Sequence, residues 1–513
     1  MAPNILFITS DQQRADCYGF AGRPVRTPHL DLLASQGTHF TSCITPNLVC
    51  QPSRASMLTG RLPLTHGVID NGIDLRTEVG ERGYPTQLNA AGYHTAFLGK
   101  AHFGTALTFA PTGGPECQYS SADFDSSQWN GPYMGFQQAE LTVLGHWFRD
   151  RLPSKPPAGQ HYERWVFEQA GLADVYEKWA AETRPGTGAA QTWHSALPSA
   201  FHSSSWLGDR TISYLRDRAG KQPFCAWVSF PDPHHPFDCP EPWSLAHHPD
   251  EVDLPVHGEK DLERRPWWHK AVLEGVPELD DPKLLAFRAK LSRTPDQNEA
   301  QLRDMTANYY GMISLIDHNV GRILAELETL GIADDTIVVY STDHGDMLGD
   351  HGLYLKHPIP YEGLLRVGLI ARGPGIQAGA VVSDPVSTLD LPATFCDYAS
   401  TSLDDDAQSS SIRPLLEGKP GASRDVAYSE WHVNASRCGV ALKLHTVRTE
   451  TAKLTVERES GVGELYNLAE DPYEMDNRFD DPGCRALQNE LEGMIKDRPG
   501  EELTSFDAPV GMA

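Results

Sequence analysis

Basic charge is scarce in this chain: 43 lysines and arginines stand against 69 aspartates and glutamates, a net charge of −26 over 513 residues. Long-range attraction to nucleic acid or to an anionic membrane surface is therefore disfavoured, and an anionic ligand would need a local basic pocket. No apolar run approaches the roughly 20 residues of a membrane-spanning helix. Met1-Ala2-Pro3-Asn4 leads straight into Ile5-Leu6-Phe7-Ile8-Thr9, without the charged and apolar segments of a secretory leader, so the expected location is the cytoplasm. The nine cysteines, at 17, 43, 50, 117, 225, 239, 396, 438 and 484, form an odd set with no CxxC pair. They read as buried small hydrophobes and not as a disulfide framework. Internal repeats and low-complexity tracts are also lacking.

What is present is ordinary globular sequence, 40% hydrophobic and 22% charged, in a chain long enough for one large domain and a smaller one. Short apolar runs at Ile5 to Thr9, His94 to Leu98, Phe224 to Phe230, Thr336 to Tyr340 and Val367 to Ala371 alternate with helical patterns. That alternation predicts an α/β fold, a large, mostly parallel sheet flanked by helices. Thr27-Pro28 opens a helix with Leu30, Leu33 and Ala34 as its apolar stripe, ending at Gly37. A longer helix carries Ile316, Val320, Ile323, Leu324 and Leu327 on one face and stops near Gly331. The stretches from Pro111 to Ser205 and from Pro240 to Pro295 lack a clean period and read as insertions over the strand ends, where specificity is usually carried. Around Ser400 to Ser410 the composition turns to Ser, Thr and Asp, as in a linker. Residues 1–400 are thus expected to form the catalytic domain. Residues 401–513 form a smaller antiparallel sheet with a helix marked by Leu487, Leu491, Met494 and Ile495, then a tail or intersubunit arm from Arg498.

Chemistry concentrates at a few points. Asp11 and Gln12 directly follow the first strand, and Asp343-His344-Gly345-Asp346 follows the strand Thr336 to Tyr340. Ligands of open α/β sheets bind at this carboxyl edge, and two acidic strand ends together suit a divalent cation. Pro52 and the residues from Ser53 to Leu58 place Cys50 at or just before a helix N-terminus, where free amides and the helix dipole favour an anion. Arg54, one turn on, can point back toward that anion or fix the nucleophile's oxygen. Trp267 and Trp268 read as packing residues, and His247 and His248 lack partners at metal-ligand spacing.

The run Cys50-Gln51-Pro52-Ser53-Arg54, followed by Ala55-Ser56-Met57-Leu58-Thr59-Gly60-Arg61, resembles the C-x-P-S-R, L-T-G-R signature of the type I sulfatases of the alkaline phosphatase superfamily. Gly92 to Gly104, ending Gly99-Lys100-Ala101-His102-Phe103-Gly104, resembles the second signature of that family. Phe230-Pro231-Asp232-Pro233-His234-His235-Pro236-Phe237 resembles its F-x-x-P-H-x-P-F loop, with His234 on the active-site histidine and His235 on a variable position. Asp343-His344-Gly345 and the downstream Lys356 resemble its D-[NH]-G block, and Gly463 to Leu468 its G-E-L-Y-D-L strand.

The resemblance implies hydrolysis of sulfate monoesters by an arylsulfatase-like enzyme. Cys50 would be converted by a formylglycine-generating maturation enzyme to 3-oxoalanine (formylglycine). It also implies a divalent metal held by Asp11, Gln12, residue 50, Asp343 and His344, with Arg54, Lys100, His102, His234 and Lys356 as catalytic residues. A hydrated aldehyde offers one hydroxyl for attack and keeps a second to expel sulfate. His234 or Lys356 would assist the leaving alcohol, and His102 would take the proton that drives release. Gln12 and His344 replace the second Asp and the Asn of typical arylsulfatases. Calcium is the first expectation, with manganese or magnesium open. Phosphonate monoester hydrolases, which also cleave phosphodiesters, share the Asp-Gln opening and the Asp-His pair. Their pattern has Tyr and Thr where this chain has Lys100 and His102, which favours sulfatase. The expected partners are a small-molecule sulfate ester and further copies of the chain in a homo-oligomer, with neither nucleic acid nor membrane.

Overall fold

The computed structural model describes residues 2–117, 129–142, 161–168, 178, 181–292, 294–419 and 424–512. Nine strands form the large sheet: β1 (Asn4–Ser10), β2 (Thr38–Ile44), β3 (His94–Gly99), β4 (Gln138–Leu141), β5 (Phe224–Ser229), β6 (Thr336–Thr342), β7 (Arg366–Arg372), β8 (Ala380–Val382) and β9 (Val386–Ser387). Their order is β4-β3-β5-β1-β6-β7-β2-β8, with β9 also on β2. Only β7 runs against its neighbours. The five strands expected from the apolar runs are present. Missing from that expectation are β2, whose sequence Thr-His-Phe-Thr-Ser-Cys-Ile mixes polar and apolar residues, and the short strands β4, β8 and β9.

The central strands are apolar throughout because both faces are covered. On β1, Ile5 and Phe7 pack with Trp227, Met57, Leu58 and Phe395 on one side. Leu6 and Ile8 pack with Trp206, Ile316, Val320 and Ile323 on the other. Ile316, Val320 and Ile323 belong to a 31-residue helix, Glu299–Thr329, which opens on an Asn298–Gln301 capping box. Thr27 does precede a helix, Pro28–Ser35, but its side chain makes no cap bond. Asp317 of the long helix instead accepts from the backbone N–H groups of His29 and Leu30.

Strands β10 (Ala427–Val433), β11 (Leu442–Arg448), β12 (Ala452–Glu457) and β13 (Gly463–Asn467) form a separate antiparallel meander. The helix Arg485–Lys496 packs Leu491 against Val447, Leu454 and Leu465.

Three local expectations change. The segment around Ser400 to Ser410 is tied down: Ser409 N donates to Gly60 O at 3.0 Å, and Arg61 pairs with Asp404 and Asp406. The tail runs along its own chain, with Leu503 N on Leu64 O, Val510 N on Gly72 O and Met512 N on Leu107 O. Trp268 is buried, whereas Trp267 is 43% exposed. Part of the first irregular stretch, including residues 118–128 and 143–160, lies outside the described residues. No described helix is long and apolar enough to cross a membrane.

Candidate active site and metal centre

Four neighbouring strands, β3-β5-β1-β6, deliver the site. They are parallel, and Ser229 lies level with both Gly99 and Thr9, so their carboxyl ends finish together. Asp11 and Gln12 leave β1, Lys100 and His102 leave β3, Asp232 to His235 leave β5, and Asp343 and His344 leave β6. Two glycines let the backbones approach this edge. A Cβ on Gly99, where φ is +109°, would lie 2.1 Å from Ser229 O, and one on Gly345 would lie 1.9 Å from Gly363 O.

Cys50 is the first residue of the helix Cys50–Thr59, after an extended Val49. The preceding loop is pinned to β6 through one carbonyl. Thr45 Oγ1 and Ser53 Oγ donate to Asp343 O at 2.6 and 2.7 Å. The serine of C-x-P-S-R thus locks the helix to the metal-motif strand.

The Cys50 Sγ lies 3.6 Å from Asp11 Oδ1, 3.1 Å from His344 Nε2 and 3.1 Å from Lys356 Nζ. One ligand atom from each of Asp11, Cys50, Asp343 and His344 can be chosen so that all lie within 4.8 Å of one another, and all four residues are buried. The His344 Nδ1 meets Gly345 O at 2.8 Å, which sets the ring with Nε2 toward the group. This is how imidazole ligands are oriented. Two carboxylates, one imidazole and residue 50 make a donor set that fits a divalent cation. Gln12 borders the group: its N–H donates to Asp343 Oδ1 at 3.1 Å, but its amide is engaged with Asp346 and lies 3.3 Å from His235 Nδ1. Its φ of +68° aims the side chain there.

Arg54 departs from the sequence-based expectation. It neither faces an open anion position nor contacts residue 50. Its guanidinium bridges the two strand-end carboxylates, Asp343 Oδ2 at 2.8 Å and Asp11 Oδ2 at 3.1 Å, and donates to Lys100 O and Ser229 Oγ. Lys100 Nζ completes the arrangement at 2.6 Å from Asp11 Oδ2. The backbone turns at His102, where φ is +52°. The buried Glu116 holds this bend, accepting from His102 N at 2.5 Å, Phe103 N at 3.0 Å and Gly104 N at 2.8 Å. The His102 ring is buried and lies close enough to the Cys50 sulfur to help lower the thiol's pKa.

Lys356 Nζ also meets His234 Nε2 at 2.8 Å, and His234 stacks on His235 with ring centroids 4.1 Å apart. Among the described residues Lys356 has no carboxylate partner, so its charge faces residue 50 and the imidazoles.

Electrostatics follow from this packing. Burial and the Cys50 thiolate push the Asp11 carboxyl up, but Lys100, His234 and Arg54 outweigh them and hold it well below the usual range. Burial and Asp11 raise Asp343 despite Arg54. Burial raises the Cys50 thiol, yet Lys356, Lys100 and His344 bring it well below its ordinary value. Burial drives His234 down to about 3, helped by Lys356 and Lys100. Burial also opposes charge on His344, but Asp343 and Cys50 raise it. The site gathers positive charge around residue 50 although the whole chain is acidic.

Glu116, Thr45, Ser229 and Asp346 escape sequence reasoning as site residues. Glu116 sits in the irregular stretch, and the other three act through contacts that only folding creates.

The family model described as Sulfatase matches residues 3–401. A second, N-sulphoglucosamine sulphohydrolase, C-terminal, matches residues 349–499. An arylsulfatase of Clostridium perfringens is 27% identical over 518 residues, covering 98% of this chain and 95% of that protein. An N-acetylglucosamine-6-O-sulfatase of Bacteroides thetaiotaomicron is 25% identical over 544 residues, covering 96% and 86%. The crystal structure of the phosphonate monoester hydrolase of Agrobacterium radiobacter superposes with a TM-score of 0.74 at 25% identity, covering 96% of this chain and 95% of the other.

Proposed function

Because the chain belongs to the sulfatase family, a family of hydrolases acting on sulfate esters, we propose that it is an arylsulfatase-type enzyme working through a formylglycine made from Cys50 and one divalent metal ion. The observation that carries this reading is the convergence on residue 50 of two kinds of group. One is a ligand set, Asp11, Asp343 and His344. The other is a pair of amines, Lys100 and Lys356, of which Lys356 has no carboxylate partner among the described residues. The first suits a cation and the second suits the anionic head of the ester, and charge neutralisation is the main lever for such transfers.

Asp11, Asp343, His344 and residue 50 would hold the metal, with Gln12 as a further ligand. Calcium is the first choice, and manganese or magnesium also suits a set with one imidazole. When bound, the cation would polarise the sulfate group and the oxygen on residue 50, and the hydrated aldehyde would supply the attacking hydroxyl. Arg54 keeps Asp11 and Asp343 in place and favours their ionised forms. Lys100 and Lys356 receive the sulfate oxygens. Lys356 and His234 assist departure of the alcohol, and the buried ring of His102 accepts the proton that lets sulfate leave.

A second reading, a phosphonate monoester or phosphodiester hydrolase with the same machinery, is favoured by the TM-score of 0.74 to the Agrobacterium radiobacter enzyme. Lys100 and His102 argue for sulfate as the main substrate, with phosphonate esters as side substrates. Turnover of 4-nitrophenyl sulfate and of 4-nitrophenyl phenylphosphonate by the matured, metal-loaded protein separates the two. The sulfate is expected to be preferred, and a preference for the phosphonate by orders of magnitude would overturn the assignment.

A further inference from the structure

Gln51 fills the variable position of C-x-P-S-R, and it is fully buried directly after Cys50. A side-chain amide carries two N–H donors and an oxygen acceptor, and burying it is costly unless they are bonded. Each of these groups is used. Gln51 Oε1 accepts from Gly72 N at 2.8 Å, and Nε2 donates to Ile73 O at 2.8 Å. The other N–H of Nε2 is shared between Phe103 O at 3.4 Å and Thr105 Oγ1 at 3.3 Å. The backbone N–H of Gln51 donates to Asn71 Oδ1 at 3.0 Å, so backbone and side chain hold the same turn.

That turn is stitched to the bend at His102. Leu75 N donates to Phe103 O at 2.8 Å, and Thr105 N donates to Asp74 Oδ1 at 2.7 Å. The C-terminal tail backs both segments, with Val510 N on Gly72 O at 2.7 Å and Met512 N on Leu107 O at 2.9 Å. Gly72 has φ +94°, and a Cβ there would lie 2.4 Å from Gly511 O, so the turn is closed in between the tail and Gln51. Gln51 is covalently next to residue 50, and Phe103 is next to His102. One buried amide therefore ties the start of the residue-50 helix to the backbone that carries His102, across a sequence separation of 52.

We propose that Gln51 is a positioning residue, which sets residue 50 against the His102 ring for the proton transfer that lets sulfate leave. This assignment rests on the formylglycine reading and adds a residue to it. Proton transfer needs the two groups within hydrogen-bond reach, and a displacement of about 1 Å costs about 10²-fold in rate. An apolar residue at position 51 takes the partner from Gly72 N and Ile73 O and frees the helix start from the bend. Arg54 still bridges Asp11 and Asp343, and Asp11 still holds Lys100, so binding of the ester changes little.

Gln51→Met and Gln51→Ala test this role. The alanine leaves room for water to take up the freed partners, so it serves where the methionine variant does not fold. Conversion of residue 50 is read from its peptide mass, about 18 Da below the cysteine form, and kcat is taken per converted site. With 4-nitrophenyl sulfate, kcat is expected to fall about tenfold or more while KM changes less than about threefold. A merely structural glutamine would lower the thermal midpoint and leave kcat per converted site unchanged. A second readout needs neither metal nor maturation. Hydrogen exchange of the metal-free cysteine form should quicken at residues 71–73 and also at residues 102–105, whose amides bond Glu116 and Asp74. An unchanged kcat per converted site, or exchange that quickens at residues 71–73 alone, overturns the proposal. Lack of turnover by the unsubstituted protein would remove the sulfate-ester reading, whereas a retained kcat in the variants removes only the role of Gln51.

Discussion

Replacing Arg54 by Met tests whether one guanidinium holds the site together. The side chain is fully buried and bonds both Asp11 and Asp343. Asp11 keeps Lys100 at 2.6 Å, but Asp343 Oδ2 loses its cationic partner, while Asp343 Oδ1 retains the backbone N–H groups of Gln12 and His344 and the His344 ring at 3.9 Å. Two charge-assisted bonds at about 1.5–3 kcal/mol each amount to about 3–6 kcal/mol. Removing one partner of a buried pair costs about 3–5 kcal/mol, so the two routes agree. The loss should depend on pH. Burial and Asp11 already raise Asp343, and Arg54 opposes them, so the variant raises it further. An acid raised in the folded state binds more protons there than in the unfolded chain. Stability then falls as pH rises from the unfolded carboxyl value toward the folded one. Urea unfolding of the unmatured protein in EDTA, followed by tryptophan fluorescence at pH 6, 7 and 8, should show the penalty growing with pH. A loss under about 1 kcal/mol, or one independent of pH, would refute the bridging role.

Three further outcomes are expected. Mass spectrometry of the peptide containing residue 50 from active protein should read about 18 Da below the cysteine form, the change from CH2SH to CHO; an unmodified thiol in fully active protein would end the aldehyde mechanism. Glu116→Gln, which disturbs three amide bonds around the His102 bend, should lower kcat about tenfold or more with a smaller change in KM, and an unchanged kcat would free His102 from this support. Burial lowers His432 to about 4 and His445 to about 2, so below about pH 6.5 the unfolded chain takes up protons that these rings refuse and stability drops. A His432→Phe, His445→Phe double variant should show a shallower acid limb in urea unfolding at pH 5 to 7, and an identical limb would exclude these rings as its source.

How much of this was legible beforehand depends on the range of the interactions. The apolar runs that became β1, β3, β5, β6 and β7 carried their own signal, because strands covered on both faces must be apolar at every position. Motif spacing likewise marked Cys50, Asp343 and His344, which share a buried group, and it marked Lys100, His234 and Lys356, which lie around them. Strand β2 was hidden by its polar residues, and the tail by its extended, aperiodic sequence.

By itself, then, the sequence determined the fold class, the helix start at residue 50 and the residue types gathered at the sheet edge. These rest on local periodicity and short motifs. Tertiary structure alone decided what those residues touch. The order β3-β5-β1-β6 brings chain-distant strand ends level, so Arg54 spends its donors on Asp11 and Asp343 and not on an anion, and Glu116 fixes the bend at His102. None of these pairings has a period or a motif, because each is set by which backbones the sheet places side by side.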